Sequence, residues 1–283
     1  MKLETFAIAL LVLLLAFYGG WSLYDKYGDH LDAVLQTGVQ PTAPQKNRSA
    51  DNSKPQEHHP LPPRHPVALP EKPSEVKGEG PTEPPFPDNL EQTDGYLQER
   101  VTQLIRNQRL RSLLILNHFI QKLVVTIDNL PETTIPRQHL PLRPPKPGFI
   151  TIGKGDEQLI DKANAGRYTP YVELFEAVPD AILLHIYRGL YPLFQQAYRQ
   201  TGNRTGYFND RLIQVIDHLL STPDPVQPIK VIRHIHRFKF VNPGLENLSA
   251  GQKMLIRCGP ENMRRVKQKL RSLRQGLVGS GSG

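Results

Sequence analysis

Residues 179–202 read PDAILLHIYRGLYPLFQQAYRQTG, with the apolar positions Leu183, Ile186, Tyr187, Leu190, Phe194 and Ala197 at three- and four-residue steps. That period is one face of an α-helix, and a long helix with one apolar face needs partner helices to cover it. Pro179-Asp180 supplies a start and Gly202 a stop. Downstream, a second helix begins near Asn209, carries Leu212, Ile213, Ile216, Leu219 and Leu220, and ends at Thr222-Pro223. Upstream, Thr169-Pro170 reads as an N-cap followed by a proline at the first helical position, leading into Val172, Leu174, Phe175 and Ala177. These three helices are the expected core bundle.

Further out, Ser249 and Gln252 have capping-box spacing, Gly259 supplies a helix stop, and Pro260 opens a last helix with Met263, Val266, Leu270, Leu273 and Leu277 on one face. On the N-terminal side, Leu97, Val101, Leu104 and Ile105 predict one amphipathic helix. Leu113, Leu116, Phe119, Ile120, Leu123 and Val124 predict the next. Pro131, Pro136, Pro141, Pro144, Pro145 and Pro147 forbid regular structure from Leu130 to Gly148, which is expected as an ordered loop or an open wrap. Phe149–Ile152 and Ile229–Val241 have the two-residue period of strands and predict a small sheet. Residues 93–277 are therefore expected to form a compact, mainly helical domain with a small β element.

The chain has 283 residues, 38% of them hydrophobic and 27 of them proline, distributed too unevenly for a single globule over the whole length. From Phe6 to Tyr24 no residue is ionisable, and nineteen residues in a helix span about 28 Å, close to the hydrocarbon thickness of a bilayer. Tyr18, Trp21 and Tyr24 gather at the end of this segment, where amphipathic rings favour the headgroup layer. No small-x-small cleavage site follows, so residues 1–26 are expected as an uncleaved single-pass anchor. The slight charge bias across it favours a cytoplasmic N-terminus and an exported body. Residues 27–92, crowded with Pro60, Pro62, Pro63, Pro66, Pro84, Pro85 and Pro87, are expected as a flexible linker, and 278–283 as a flexible tail.

Several blocks resemble an uncharacterised bacterial family of membrane-anchored proteins known as domain of unknown function, family 3014. They are VTIDNLP (125–131), YTPYVELFEAV (168–178), YRGLYPLFQQAYRQT (187–201), GYFNDRLIQVIDHLL (206–220) and LSAGQKMLIRCGPENMRR (248–265). The resemblance implies architecture and an envelope location, and brings no catalytic residues with it.

Chemistry rests on the residues themselves. Tyr207, Asn209, Asp210 and Arg211, with Asp217 and His218 one to two turns on, form the richest polar cluster, and Asp210, Gln214 and Asp217 project from one helical face. The cluster reads either as a binding or acid/base site, or as structure, with Asn209 or Asp210 capping the helix and the others tying helices together. His234 and His236 share a strand face without a third metal ligand at a convincing spacing, so the flanking Arg233 and Arg237 favour a cationic strand surface. Cys258 is the only cysteine, which excludes an intramolecular disulfide framework and reads as a small buried hydrophobe. No nucleophile elbow, HExxH or Walker A spacing occurs in the domain, so no cofactor or metal and no enzymatic activity is expected.

The overall formal charge of +8 hides a larger surplus in the domain, where 27 Lys and Arg face 15 Asp and Glu from Gln92 onward, a difference of 12. It peaks at Arg264, Arg265, Lys267, Lys269, Arg271 and Arg274, the expected anion-facing surface. The leading expectation is a single-pass inner-membrane protein whose exported, periplasmic domain is a non-enzymatic binding or scaffold module of the cell envelope. It would engage an envelope protein or anionic polymer through that basic surface and aromatics such as Tyr187, Tyr191 and Tyr207. The alternatives are a cytoplasmic nucleic-acid-binding domain, for which no recognition motif speaks, and a wall-modifying hydrolase using Asp210, Asp217 and His218.

Overall fold

The structure, a computed structural model, describes residues 62–70, 84–203, 205–234 and 237–278. The expected anchor segment Phe6–Tyr24, His236 and the glycine–serine tail lie outside them. Among the described residues no helix is long and apolar enough to cross a membrane.

The described residues form nine helices and one small sheet. In chain order they are α1 (Leu90–Leu104), α2 (Gln108–Arg111), α3 (Phe119–Asn129), β1 (Thr151–Ile152), β2 (Glu157–Ile160), α4 (Asn164–Glu176), α5 (Asp180–Gln200), α6 (Phe208–Leu220), β3 (Lys230–His234), β4 (Arg237–Phe240), α7 (Pro243–Glu246), α8 (Ala250–Arg257) and α9 (Pro260–Val278). The sheet is antiparallel throughout, in the order β1-β2-β3-β4.

The last helix is the centre of the domain. α9 packs on α4, α5 and α6, and buries Met263, Val266, Leu270, Leu273 and Leu277 among them, while α3 packs on α5. Its start depends on Gly259, which takes φ of 89°, the left-handed region where a side chain is strained. Asn262, buried in the first turn of α9, donates to the carbonyls of Ala165 (2.9 Å) and Cys258 (3.0 Å), tying α9 to α4. Ser249 and Gln252 make the capping box of α8. Between these two, Gly251 sits so close to Leu130 that a Cβ would lie 3.0 Å from the Leu130 carbonyl oxygen and 2.7 Å from Leu219 Cδ2.

Three expectations are corrected. The helix expected around Leu113 and Leu116 starts only at Phe119, because Leu114 forms a bridge with Leu142 of the proline-rich loop, through Ile115 N to Pro141 O and Arg143 N to Leu113 O, 2.8 Å each. Pro170 lies inside α4 instead of opening it. The helix already begins at Asn164, whose buried side chain is pinned to the backbone of Ile150, and Thr169 bonds back to the Ala165 carbonyl (3.0 Å).

The third correction concerns the linker. Of residues 27–92, the stretches 62–70 and 84–92 are described, and both lie against the domain. Val67, Phe86 and Leu90 pack on the core, and α1 begins at Leu90 with Asn89 as its N-cap. Phe86 rests directly on Gly189 of α5, beside the rings of Tyr96 (5.9 Å) and His185 (5.5 Å).

Candidate functional site

The six cations of α9 do not form a free strip. Arg264 pairs with Glu261 on its own helix (2.7 Å), Arg265 with Glu176 of α4, and Arg274 with Asp217 of α6 (Nη2 to Oδ2, 2.9 Å). Lys269 reaches the Val178 carbonyl and Asp180. Lys267 is buried, donating to the Thr222 carbonyl (2.6 Å), with Asp224 at 3.4 Å. Arg271 is exposed. On a helix that packs against three others, Arg265, Lys267, Lys269 and Arg274 reach neighbouring segments, and most of the sequence's charge peak becomes ties within the domain.

The polar cluster on α6 divides the same way, but one end of it faces outward. Arg211 donates to the Asp128 carboxylate (Nε to Oδ1, 2.7 Å) and to the Asp128 carbonyl (2.7 Å), which locks α6 to the end of α3. Asp217 turns to Arg274. His218 Nε2 lies 2.8 Å from Ser249 Oγ, and burial together with the charge of Arg211 holds its pKa below the ordinary value. The two carboxylates and the imidazole proposed for acid/base work therefore go to separate partners. Asn209 and Asp210 do not cap α6 either. Tyr207 holds the N-cap position without a capping bond, and the first amide, Phe208 N, is satisfied by Gln195 Oε1 of α5 (2.8 Å).

Gln195 builds the platform on which α6 starts. Its Nε2 donates to the Gly206 carbonyl (2.8 Å), its Oε1 also accepts from Tyr191 (3.2 Å), and Phe208 stacks on Phe194 with ring centroids 5.5 Å apart. Gly206 is pressed against Tyr198, with 3.2 Å between its would-be Cβ and the ring. The first turn of α6 is thereby fixed, and the side chains of Asn209 and Asp210 are freed to point at the proline-rich segment.

That segment is held by its backbone. The Asp210 carboxylate accepts the amide N–H of Arg64 (Oδ2, 2.9 Å) and of His65 (Oδ1, 2.8 Å), and Asn209 Nδ2 donates to the His65 carbonyl (2.8 Å). Asn209 is fully buried, and its amide orientation is set from below, since Tyr187 Oη donates to its Oδ1 (3.0 Å). Tyr187 is itself buried, which pushes its phenol pKa well up and keeps it a donor. Pro63 and Pro66 bracket the two clamped residues and have no N–H, so the only two amide donors of residues 63–66 are both used by Asp210.

Burial along 62–67 alternates, with Pro63, His65 and Val67 toward the domain and Pro62, Arg64 and Pro66 outward. Leu69 continues the inward series onto an open groove of about 560 Å³ bordered by Tyr191, Pro192, Gln195, Gln196, Arg199 and Gln200, yet it stays 54% exposed. Tyr191 of this groove, and Asn209 and Asp210 of the clamp beside it, were among the binding candidates read from the sequence, whereas Gln195, Gln196, Arg199 and Gln200 were visible there only as helix face. Their partner, the proline-rich stretch, was read as solvated coil.

His234 ends β3 exposed, and among the described residues no three His, Cys, Asp or Glu side chains come together as a metal site. Cys258 is buried, and that burial raises its thiol pKa well above the usual value. Residues 119–274 match the family DUF3014, described as a protein of unknown function. No curated protein and no solved structure matches the chain.

Proposed function

The chain belongs to the DUF3014 family of proteins of unknown function, and from that premise we propose that it is a non-enzymatic peptide-binding module tethered to the bacterial inner membrane, its helical domain exported to the envelope. The observation that carries the reading is the clamp of Asp210 and Asn209 on the backbone of Arg64 and His65. A carboxylate that accepts two consecutive amides, beside a buried carboxamide that donates to the carbonyl that follows them, is a recognition device for extended chain. The tethering half of the reading rests on the uncharged stretch Phe6–Tyr24 and its aromatic flank. The α9 cations lend less support to an acidic partner, since most are engaged inside the domain.

Hydrogen exchange on the full chain tests the clamp. Amides 64 and 65 should be protected, and Asp210→Ala should release them while leaving the amides of α6 protected. Equal protection in the variant refutes the reading. Externally added protease on spheroplasts tests the topology, since a body that resists digestion there is not exported.

A further inference from the structure

We propose that the groove takes in trans an extended, proline-punctuated segment of another protein, and that residues 62–70 are its displaceable ligand in cis. The inference rests on the groove being a peptide site. Three observations lead to it.

The clamp touches only main chain, through two N–H groups and one carbonyl, and Arg64 is outward-facing, so nothing in those bonds is specific to the tether's own side chains. The prolines matter through what they lack. With no N–H at positions 63 and 66, the segment presents the clamp with only the two donors that the carboxylate accepts. Any chain with two residues between prolines and alternating inward positions satisfies the same requirements.

The cis segment also fits unevenly. Pro63, His65 and Val67 are half-buried, whereas Leu69, fourth in the inward series, is 54% exposed beside a groove of about 560 Å³. The walls there are the Tyr191 ring, Pro192 and the stems of Gln196, Arg199 and Gln200. A larger apolar side chain at that position buries more surface and binds more tightly, so the best ligand for this groove is not the one the chain carries.

Covalent attachment offsets the poor fit. Thirteen residues, 71–83, separate Pro70 from the next docked stretch at Pro84. An attached ligand on such a connection competes at an effective concentration on the order of millimolar. A weak cis segment thus keeps the groove occupied until a better-fitting partner, or one locally concentrated at the membrane, displaces it.

The test uses the full chain in nanodiscs and a fluorescent peptide of residues 61–72, in its native form and with Leu69→Trp, read by polarisation. The tryptophan peptide should bind the native chain about tenfold more tightly than the leucine peptide. A chain with Arg64→Pro and His65→Pro, whose own segment has lost both clamped amides, should bind either peptide about tenfold more tightly than the native chain, and Asp210→Ala should bind neither. Should the double proline variant lower the melting temperature, a Gly-Ser replacement of 62–70 at equal length gives the same comparison.

Equal, weak binding by native and cis-disabled chains, with amides 64 and 65 still protected in the native chain, overturns exchange and leaves an intramolecular latch. Loss of the distinction between native and Asp210→Ala chains in amide protection instead overturns the peptide site itself. A concentration-dependent dimer that requires residues 62–70 makes a second copy the occupant and overturns the separate partner.

Discussion

Gly189→Ala should reverse its effect on stability according to what residue 86 is. Gly189 lies within α5, where alanine is worth about 1 kcal/mol over glycine in helix propensity. A Cβ there would stand 2.2, 2.3 and 2.4 Å from three atoms of the Phe86 ring, well inside contact distance, so the ring must withdraw. Full burial of a phenylalanine is worth roughly 1.5–3 kcal/mol. Phe86 is only partly buried, so expelling it costs about 1–2 kcal/mol. In the native background cost and gain nearly cancel, with a net loss of up to about 1 kcal/mol. In Phe86→Ala the obstacle is gone, and Gly189→Ala should stabilise by about 1 kcal/mol. Urea denaturation of the four chains gives a coupling energy of about 1–2 kcal/mol on this account. Equal stabilisation by Gly189→Ala in both backgrounds would refute the docking of residues 84–89 on α5.

Two further outcomes concern the helices around α9. Lys267→Ala strips the buried Thr222 carbonyl of its donor and should cost about 1–3 kcal/mol, whereas Arg271→Ala, at an exposed position, should stay within about 0.5 kcal/mol in the same denaturation assay. His218 titrates lower in the folded chain than in the unfolded one, first through burial and then through Arg211, so the unfolded state binds the proton more readily. The stability its neutral form contributes is present above about pH 6.5, the unfolded value, and is lost as pH falls toward the folded one. Unfolding midpoints measured from pH 7.5 to 5 should therefore decline less steeply in His218→Gln than in the native chain. A parallel decline would show that His218 is not the titrating group.

The helical bundle was readable because its signals are local. The apolar period of residues 183–197, the Ser249/Gln252 box and the Gly259-Pro260 junction each act within a few residues, and α5, α8 and α9 fall where those signals put them. What the sequence concealed is set by distant partners. Glu157–Ile160 has no alternation of its own and becomes a strand because Lys230, Val231 and Ile232 pair with it. Leu113 and Leu116 keep a helical spacing, but the segment between α2 and α3 bonds to the proline loop instead. The α9 charge run read as an anion-facing surface because carboxylates 43 to 89 residues away cannot be matched to it from spacing. The groove was hidden for the same reason, since a proline-rich coil becomes a ligand only where Asp210 and Asn209 are aimed at it.

A ribosome makes α9 after α4, α5 and α6, yet those helices have their apolar faces against it. Until α9 has emerged, the nascent domain has no complete interior and only local helices to hold. A polypeptide so arranged stays threadable while it is being synthesised and closes in one late step. Premature termination before Pro260 would accordingly leave three greasy helix faces bare, a species for proteases to clear and not a shortened working protein.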